Sequence, residues 1–102
     1  MSRLKAVTQL TSKTTGVTMN AKNGSITTVA LTDALDTEFE FVVNNDKVYP
    51  DSNIQLTAVY GGTGVPVVSV VSRSNFTFTV RVANVGVAAF NAVMGINVSI
   101  IG

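Results

Sequence analysis

The sequence contains one strictly alternating stretch, Phe76-Thr77-Phe78-Thr79-Val80-Arg81-Val82-Ala83-Asn84. Its first seven positions alternate bulky apolar side chains with Thr or Arg. Successive side chains of a β-strand point to opposite faces of a sheet, so this period of two predicts a strand with one buried and one solvated face. The predicted buried face carries Phe76, Phe78, Val80 and Val82.

The same period returns in residues 38–43, 54–60 and 92–100. Turn-forming residues separate these segments, among them 44–47 and the glycine-rich 61–64. An Asn-Gly pair at Asn23-Gly24 predicts a tight hairpin between a strand near Val17 and a return strand over 26–31. About seven or eight short strands with regular turn signals predict an all-β fold, namely a single antiparallel β-sandwich or jelly-roll-like domain over residues 14–102.

Composition supports this fold class. The chain has 102 residues, enough for one domain, and 36 of them are the β-branched residues Val, Ile and Thr. Apolar residues make up 46% of the sequence, but their uninterrupted runs are far shorter than the roughly 18 to 20 residues that span a bilayer. We therefore expect no membrane association.

Charge and side-chain chemistry argue against most catalytic and nucleic-acid-binding classes. The formal net charge is +1, and the sequence contains neither His nor Cys. We expect no nucleic-acid partner, because a weakly charged surface attracts phosphates poorly. We also predict that the protein is not an enzyme and has no catalytic residues, no cofactor and no bound metal.

Two motifs have an alternative chemical interpretation. The acidic residues Asp33, Asp36, Glu38 and Glu40 offer oxygen ligands to calcium, but no calcium-loop spacing accompanies them, so a solvated strand face is favoured. The Gly61-Gly62-Thr63-Gly64 loop lacks the Lys-Ser/Thr pair of a phosphate-binding loop and precedes a strand, so it is interpreted as a flexible turn.

Two segments are candidates for contacts with other chains. Residues 1–13 combine positive charges with apolar side chains and predict an extended N-terminal arm. The candidate contact residues of this arm are Arg3, Leu4, Lys5, Val7 and Leu10. A second apolar group predicts a subunit interface formed by Val85, Val87, Phe90 and Met94.

The sequence resembles a group of small virion proteins of tailed bacteriophages. The resemblance begins with Ser12-Lys13-Thr14-Thr15-Gly16-Val17-Thr18-Met19-Asn20 and Gly24-Ser25-Ile26-Thr27. It continues through Phe39-Glu40-Phe41-Val42-Val43-Asn44-Asn45-Asp46-Lys47-Val48, then 61–71, 76–84 and 96–101. These are strand and turn patterns without a catalytic signature.

The resemblance implies a β-sandwich structural protein, namely a capsid decoration (cement) protein that binds the assembled shell and stabilises contacts between capsomers. The implied partners are the major capsid protein and the chain itself, as a dimer or trimer. The implied location is the capsid surface of the virion, after synthesis in the host cytoplasm without a signal peptide. The alternative is a tail-fibre or spike knob that binds a host-surface receptor or glycan.

Overall fold

A computed structural model describes residues 5–101, which form eight β-strands. The strands are β1 (Lys5–Thr8), β2 (Val17–Thr18), β3 (Asn23–Thr27), β4 (Glu38–Asn44), β5 (Asn53–Val59), β6 (Pro66–Ser74), β7 (Thr77–Asn84) and β8 (Gly95–Ile101). Over this part of the chain, the structure contains no helix long and apolar enough to cross a bilayer. The prediction of an all-β fold is confirmed.

The strands form two packed four-stranded sheets. Sheet A has the order β1-β3-β8-β5, and sheet B has the order β2-β4-β7-β6. The chain therefore crosses from one sheet to the other within each successive pair of strands: β1 to β2, β3 to β4, β5 to β6 and β7 to β8. Four such two-strand units lie side by side in the same order in both sheets, which gives a β-sandwich.

The direction of crossing explains the direction of pairing. The units β1-β2, β3-β4 and β5-β6 pass from sheet A to sheet B, whereas β7-β8 returns from B to A. The returning unit is therefore antiparallel to its neighbours on both sides. The units β1-β2 and β3-β4 are adjacent and cross in the same direction. Their strands therefore pair in parallel, β1 with β3 and β2 with β4. These two parallel pairs depart from the purely antiparallel arrangement that the sequence predicts.

The core lies between the sheets and follows the predicted alternation. Phe39, Phe41 and Val43 of β4 are buried while Glu38 and Glu40 are exposed. The alternation in β7 and β8 is equally regular. The buried residues of these two strands are Phe78, Val80, Val82, Asn84, Ile96, Val98 and Ile100. Each buried large apolar side chain contributes roughly 1.5–3 kcal/mol relative to an exposed one, so this interdigitated layer is the main source of stability.

Two turns differ from the sequence-based prediction. Phe76 was expected in the buried face of a strand, but it occupies the second position of a two-residue hairpin turn between Ser74 and Thr77 and is 51% exposed. The expected Asn-Gly hairpin does not form, since β2 and β3 lie in different sheets. Gly24 instead belongs to β3, where an added Cβ would lie 2.8 Å from the carbonyl oxygen of Lys5. Close packing, rather than turn formation, explains this glycine.

The N-terminal segment is part of the sandwich over its described residues. Lys5–Thr8 forms β1 and pairs with β3, so this stretch does not project as a free arm. Gln9 is buried, and its side-chain amide donates to the carbonyl oxygens of Lys13 and Thr15 at 2.7 and 3.0 Å. Arg3 and Leu4 lie outside the described residues. The arm boundary predicted at residue 13 thus has no counterpart in residues 5–13.

A partly buried ion pair fixes the end of this segment. The Lys13 ammonium lies 2.5 Å from a carboxylate oxygen of Asp33, whose side chain is only 3% exposed. The same ammonium is 5.3 Å from the centre of the Phe39 ring. The other Asp33 oxygen, Oδ1, is buried and has no hydrogen-bond partner. Lys13 therefore supplies the charge that compensates this buried carboxylate.

Replacing Lys13 by Met is expected to lower the free energy of unfolding by about 1–3 kcal/mol, because it leaves the Asp33 carboxylate buried without its cation. Urea denaturation monitored by circular dichroism measures this loss. The double variant Lys13→Met/Asp33→Asn should be more stable than Lys13→Met alone, since it also removes the buried charge. Wild-type stability for Lys13→Met would contradict this account.

Candidate interaction surface

The structure divides the predicted acidic cluster: Asp33 is buried beside Lys13 and Asp36 lies in the turn before β4, whereas Glu38 and Glu40 lie on the outer face of sheet B beside an arginine. Arg81 of β7 faces Glu40 of β4 in the register of the two strands. Its Nη2 and Nε atoms donate to Glu40 Oε2 at 2.6 and 2.8 Å, and Nε lies 3.9 Å from Glu38 Oε1. The hydrogen bond to Glu40 and the negative charges of Glu38 and Glu40 raise the pKa of Arg81 above its usual value. The three side chains form an ionic group on a solvated strand face.

Beside this ionic group lie four exposed valines that we call the valine patch: Val65, Val67 and Val85 at adjoining backbone positions, and Val87 two residues after Val85. Val67 pairs with Ala83, and the backbone N–H of Val85 donates to the carbonyl oxygen of Val65 at 2.9 Å. Val85 thus continues the outward-facing alternation of β7, next to Val65. Val87 follows in the loop after β7 and is 95% exposed.

The backbone beneath the patch is held by the buried side chain of Asn84. Its amide nitrogen donates to the carbonyl oxygens of Asp33 and Ala88 at 3.2 and 2.9 Å. Its amide oxygen accepts from the backbone N–H groups of Val65 and Gly86 at 3.3 and 3.0 Å. All four hydrogen-bonding positions of the amide are used. The patch is therefore presented on a fixed backbone rather than on a loose loop.

The structure separates the four residues of the predicted subunit interface. Val85 and Val87 are exposed, at 57% and 95%, and are available to another chain. Phe90 and Met94 are 2% and 0% exposed and belong to the core of the chain itself, so they are corrected from surface to core residues. Sequence analysis missed Val65 and Val67, because the adjacent pairs Val67-Val68 and Val70-Val71 give no indication of which side chains point outward.

The candidate contact residues of the N-terminal segment also differ in exposure. Lys5 and Leu10 are exposed, Leu10 at 85%, whereas Val7 is partly buried and packs against the core. Lys5 and Val7 lie in β1, whose partner is β3 of the same chain. Of the apolar members of this group that the structure describes, Leu10 is the more open to solvent.

A pair of exposed aromatic residues lies where the β6–β7 hairpin meets the loop after β4. Tyr49 and Phe76 are 47% and 51% exposed, and their ring centres lie 5.9 Å apart in an edge-to-face arrangement. Phe76 has a φ of 70°, a left-handed conformation that bulky residues rarely adopt. Its N–H donates to the carbonyl oxygen of Val48, and its own carbonyl oxygen accepts from Asn45, both at 2.8 Å. These two bonds hold the strained turn in place.

The second tyrosine of the chain, Tyr60, has a structural role. Its ring packs edge-to-face against buried Phe90, with centres 5.1 Å apart. Its hydroxyl accepts a hydrogen bond from the backbone N–H of Asn91 at 2.8 Å. The glycine-rich loop after it is tied to the same segment, because the N–H of Thr63 donates to the Asn91 side chain at 2.8 Å. This loop therefore braces the 85–94 segment.

No pocket is found among the described residues, and no three acidic, His or Cys side chains of theirs lie close enough together to hold a metal ion. Compared with protein-family models, with curated proteins and with solved structures, the chain gives no match. The valine patch, with its ionic neighbours, is thus the main candidate for function.

Replacing Asn84 by Ala is expected to cost about 2–3 kcal/mol of unfolding free energy, because it leaves buried backbone groups of the patch without partners. The substitution should increase the hydrogen-exchange rate at the N–H of Gly86, because that group loses its acceptor. The control is Thr79→Ala, a partly exposed position on the outer face of the same strand, which should change stability by less than about 0.5 kcal/mol. Equal effects of the two substitutions would refute the role of Asn84.

The strain at Phe76 predicts that a glycine variant is more stable than an alanine variant at this position, which reverses their usual order in a strand. Phe76→Gly should be more stable than Phe76→Ala by about 1 kcal/mol, since only glycine adopts a positive φ freely. Thermal or urea unfolding measures the difference. At Val42, an exposed position within β4, the usual order should hold, with Ala more stable than Gly. Finding Ala more stable than Gly at position 76 would show that the turn is not strained.

Proposed function

We propose that this protein is a non-enzymatic structural protein of a phage virion, a decoration protein that binds the assembled capsid through the valine patch. The phage assignment depends on the sequence resemblance. The choice of surface depends on one structural observation: exposed Val65 and Val85 lie side by side on backbone that Asn84 holds, with exposed Val67 and Val87 two residues further along their segments. The capsid protein is the partner that this proposal assigns to the patch.

The surroundings of the patch favour a protein partner. Protein interfaces combine an apolar centre with a polar rim, and Glu38, Glu40 and Arg81 lie on the strands next to the valines. Glu38 pairs with Ala83, which itself pairs with Val67, so the ionic group and the apolar group adjoin on one sheet face. A valine side chain loses little conformational entropy when it is ordered at an interface, because branching at Cβ already restricts its rotamers.

A decoration protein does not need a deep binding cavity. It binds many equivalent positions on a symmetric shell, so that modest individual contacts together stabilise the lattice. A β-sandwich that carries apolar side chains on a fixed backbone suits this task, because it loses little conformational freedom on docking. The low charge of the chain, 13% of residues, also fits contact with another protein better than with nucleic acid or lipid.

The binding test uses shells that lack this protein. We expect Val87→Glu and Val85→Glu to weaken co-sedimentation with such shells at least about tenfold, because each buries a carboxylate in an apolar interface. Both positions are well exposed, so stability should change by less than about 0.5 kcal/mol. Ile101→Glu is the matched control, since Ile101 is 53% exposed on β8 of the opposite sheet and should not affect binding.

A further substitution, Leu10→Glu, distinguishes the patch from the N-terminal segment. Loss of shell binding by Leu10→Glu with full binding by the two valine variants would assign the contact to residues near Leu10 instead. Full binding by all of these variants would refute both contact surfaces. Circular dichroism of each variant verifies that the fold is retained.

The exposed pair Tyr49 and Phe76 favours a second candidate, a tail-fibre or spike knob that binds a host receptor or glycan. Exposed aromatic rings supply contact area for such ligands. The copy number of the protein in purified virions, measured by quantitative mass spectrometry, separates the two functions. A copy number comparable to that of the major capsid protein supports decoration, whereas a small fraction of it supports the knob. Absence from virions would overturn both.

A further inference from the structure

The outer edge of β5 differs from the other three sheet edges. Sheet edges expose unpaired backbone N–H and C=O groups, and proteins commonly protect them with short strands, prolines, bulges or charges. β1 has four residues and carries Lys5, and β2 has only two residues. β6 begins at Pro66, contains a bulge between Val70 and Ser72, and carries Arg73. Each of these three edges therefore has a protecting feature.

β5 has none of these features. Its seven residues, Asn53-Ile54-Gln55-Leu56-Thr57-Ala58-Val59, include no charged residue and no proline. Its pairing with β8 is regular over the whole strand, with no shift in register. The free edge is therefore the longest regular, uncharged one among the described strands, and such an edge is a template for adding another strand.

The burial of β5 is also incomplete. The inward-facing side chains of Ile54, Leu56 and Ala58 are only partly buried. Their direct neighbours on β8, respectively Ile100, Val98 and Ile96, are buried. The difference arises because β8 has a strand on each side, whereas β5 has one only. A strand added outside β5 would remove this remaining apolar surface from water.

We propose that the occupant of this edge is β5 of a second copy of the chain, paired in antiparallel fashion about a two-fold axis at Leu56. This register uses all seven residues of the strand. It places Leu56 opposite Leu56 of the second copy, and bulky Ile54 opposite small Ala58. Gln55 then faces Thr57, and Asn53 faces Val59.

Charge favours a second copy in this arrangement. A two-fold axis sets each strand against an identical sequence, so charged residues in it often meet like charges, which destabilises the pair. β5 avoids that cost, because it has no charges. The dimer would join two copies of sheet A into one continuous eight-stranded sheet. It would leave the valine patch free, because that patch lies on the outer face of sheet B.

In the proposed dimer, Gln55 of each copy lies opposite Thr57 of the other, and this pairing gives a specific test. In the variant Gln55→Lys/Thr57→Lys, like charges would meet at two places in the dimer, and in Gln55→Glu/Thr57→Glu the same holds with the opposite sign. Both positions are exposed, and their neighbours on β8 are Ser99 and Asn97, which are uncharged. The substitutions should therefore leave the fold of a single chain unchanged, which circular dichroism verifies.

Sedimentation equilibrium of the full chain measures the outcome. We expect the wild type to dimerise, and each variant alone to dimerise about tenfold more weakly. An equimolar mixture of the lysine and glutamate variants should form a heterodimer, because opposite charges then meet. A matched control, Thr18→Lys on β2 of the other sheet, should dimerise like the wild type.

Two results would overturn this inference. One is a wild type that remains monomeric at millimolar concentration. The other is a wild-type dimer that persists unchanged in the lysine variant, which would place the interface elsewhere. Dimerisation does not depend on shell binding, so its failure leaves the proposed function standing, and loss of shell binding in Val87→Glu leaves the dimer standing.

Discussion

The hydrogen bonding of β7 on both of its edges is the constraint on which the surface of this protein depends. Its register against β4 sets Arg81 beside Glu40, and its register against β6 sets Ala83 beside Val67. Asn84, the last residue of β7, then ties the following loop and the segment before β6 to the same strand. The pairing of β7 with β4 therefore positions the ionic group, and its pairing with β6 positions the valine patch.

The two proposed contacts use different properties of the same sandwich. The valine patch relies on side chains, which bind through apolar area and whose backbone is fixed from beneath. The β5 edge relies on main-chain groups, which pair with any extended partner unless charge or shape prevents it. These surfaces lie on different sheets, so a protein of 102 residues has room for both. A paired decoration protein would then bring two patches to a shell, which raises its apparent affinity.

Local patterns in the sequence predicted which residues face the core in β4, β7 and β8, because alternation depends only on the direction of successive side chains. They did not predict which strands pair, since that depends on contacts distant along the chain. Asn23-Gly24 has the composition of a tight turn, yet pairing with Lys5 of β1 and Val98 of β8 places Gly24 within β3. Phe76 continues the alternating pattern, yet hydrogen bonds to Val48 and Asn45 hold it in the turn. Phe90 lies in a segment without a regular period, so its burial could not be inferred locally, whereas the alternation over 92–100 sets Met94 on the same buried face as Ile96.

The central position of the β7-β8 unit also determines when the chain can fold during synthesis. β8 lies between β3 and β5, and β7 lies between β4 and β6, so the first six strands cannot assemble into either complete sheet without them. On the ribosome, both sheets stay incomplete until residues up to Ile101 have emerged. The nascent chain meanwhile exposes uncharged β-forming segments, which are the kind most prone to aggregate. This topology therefore couples completion of both sheets to the arrival of the last two strands, β7 and β8.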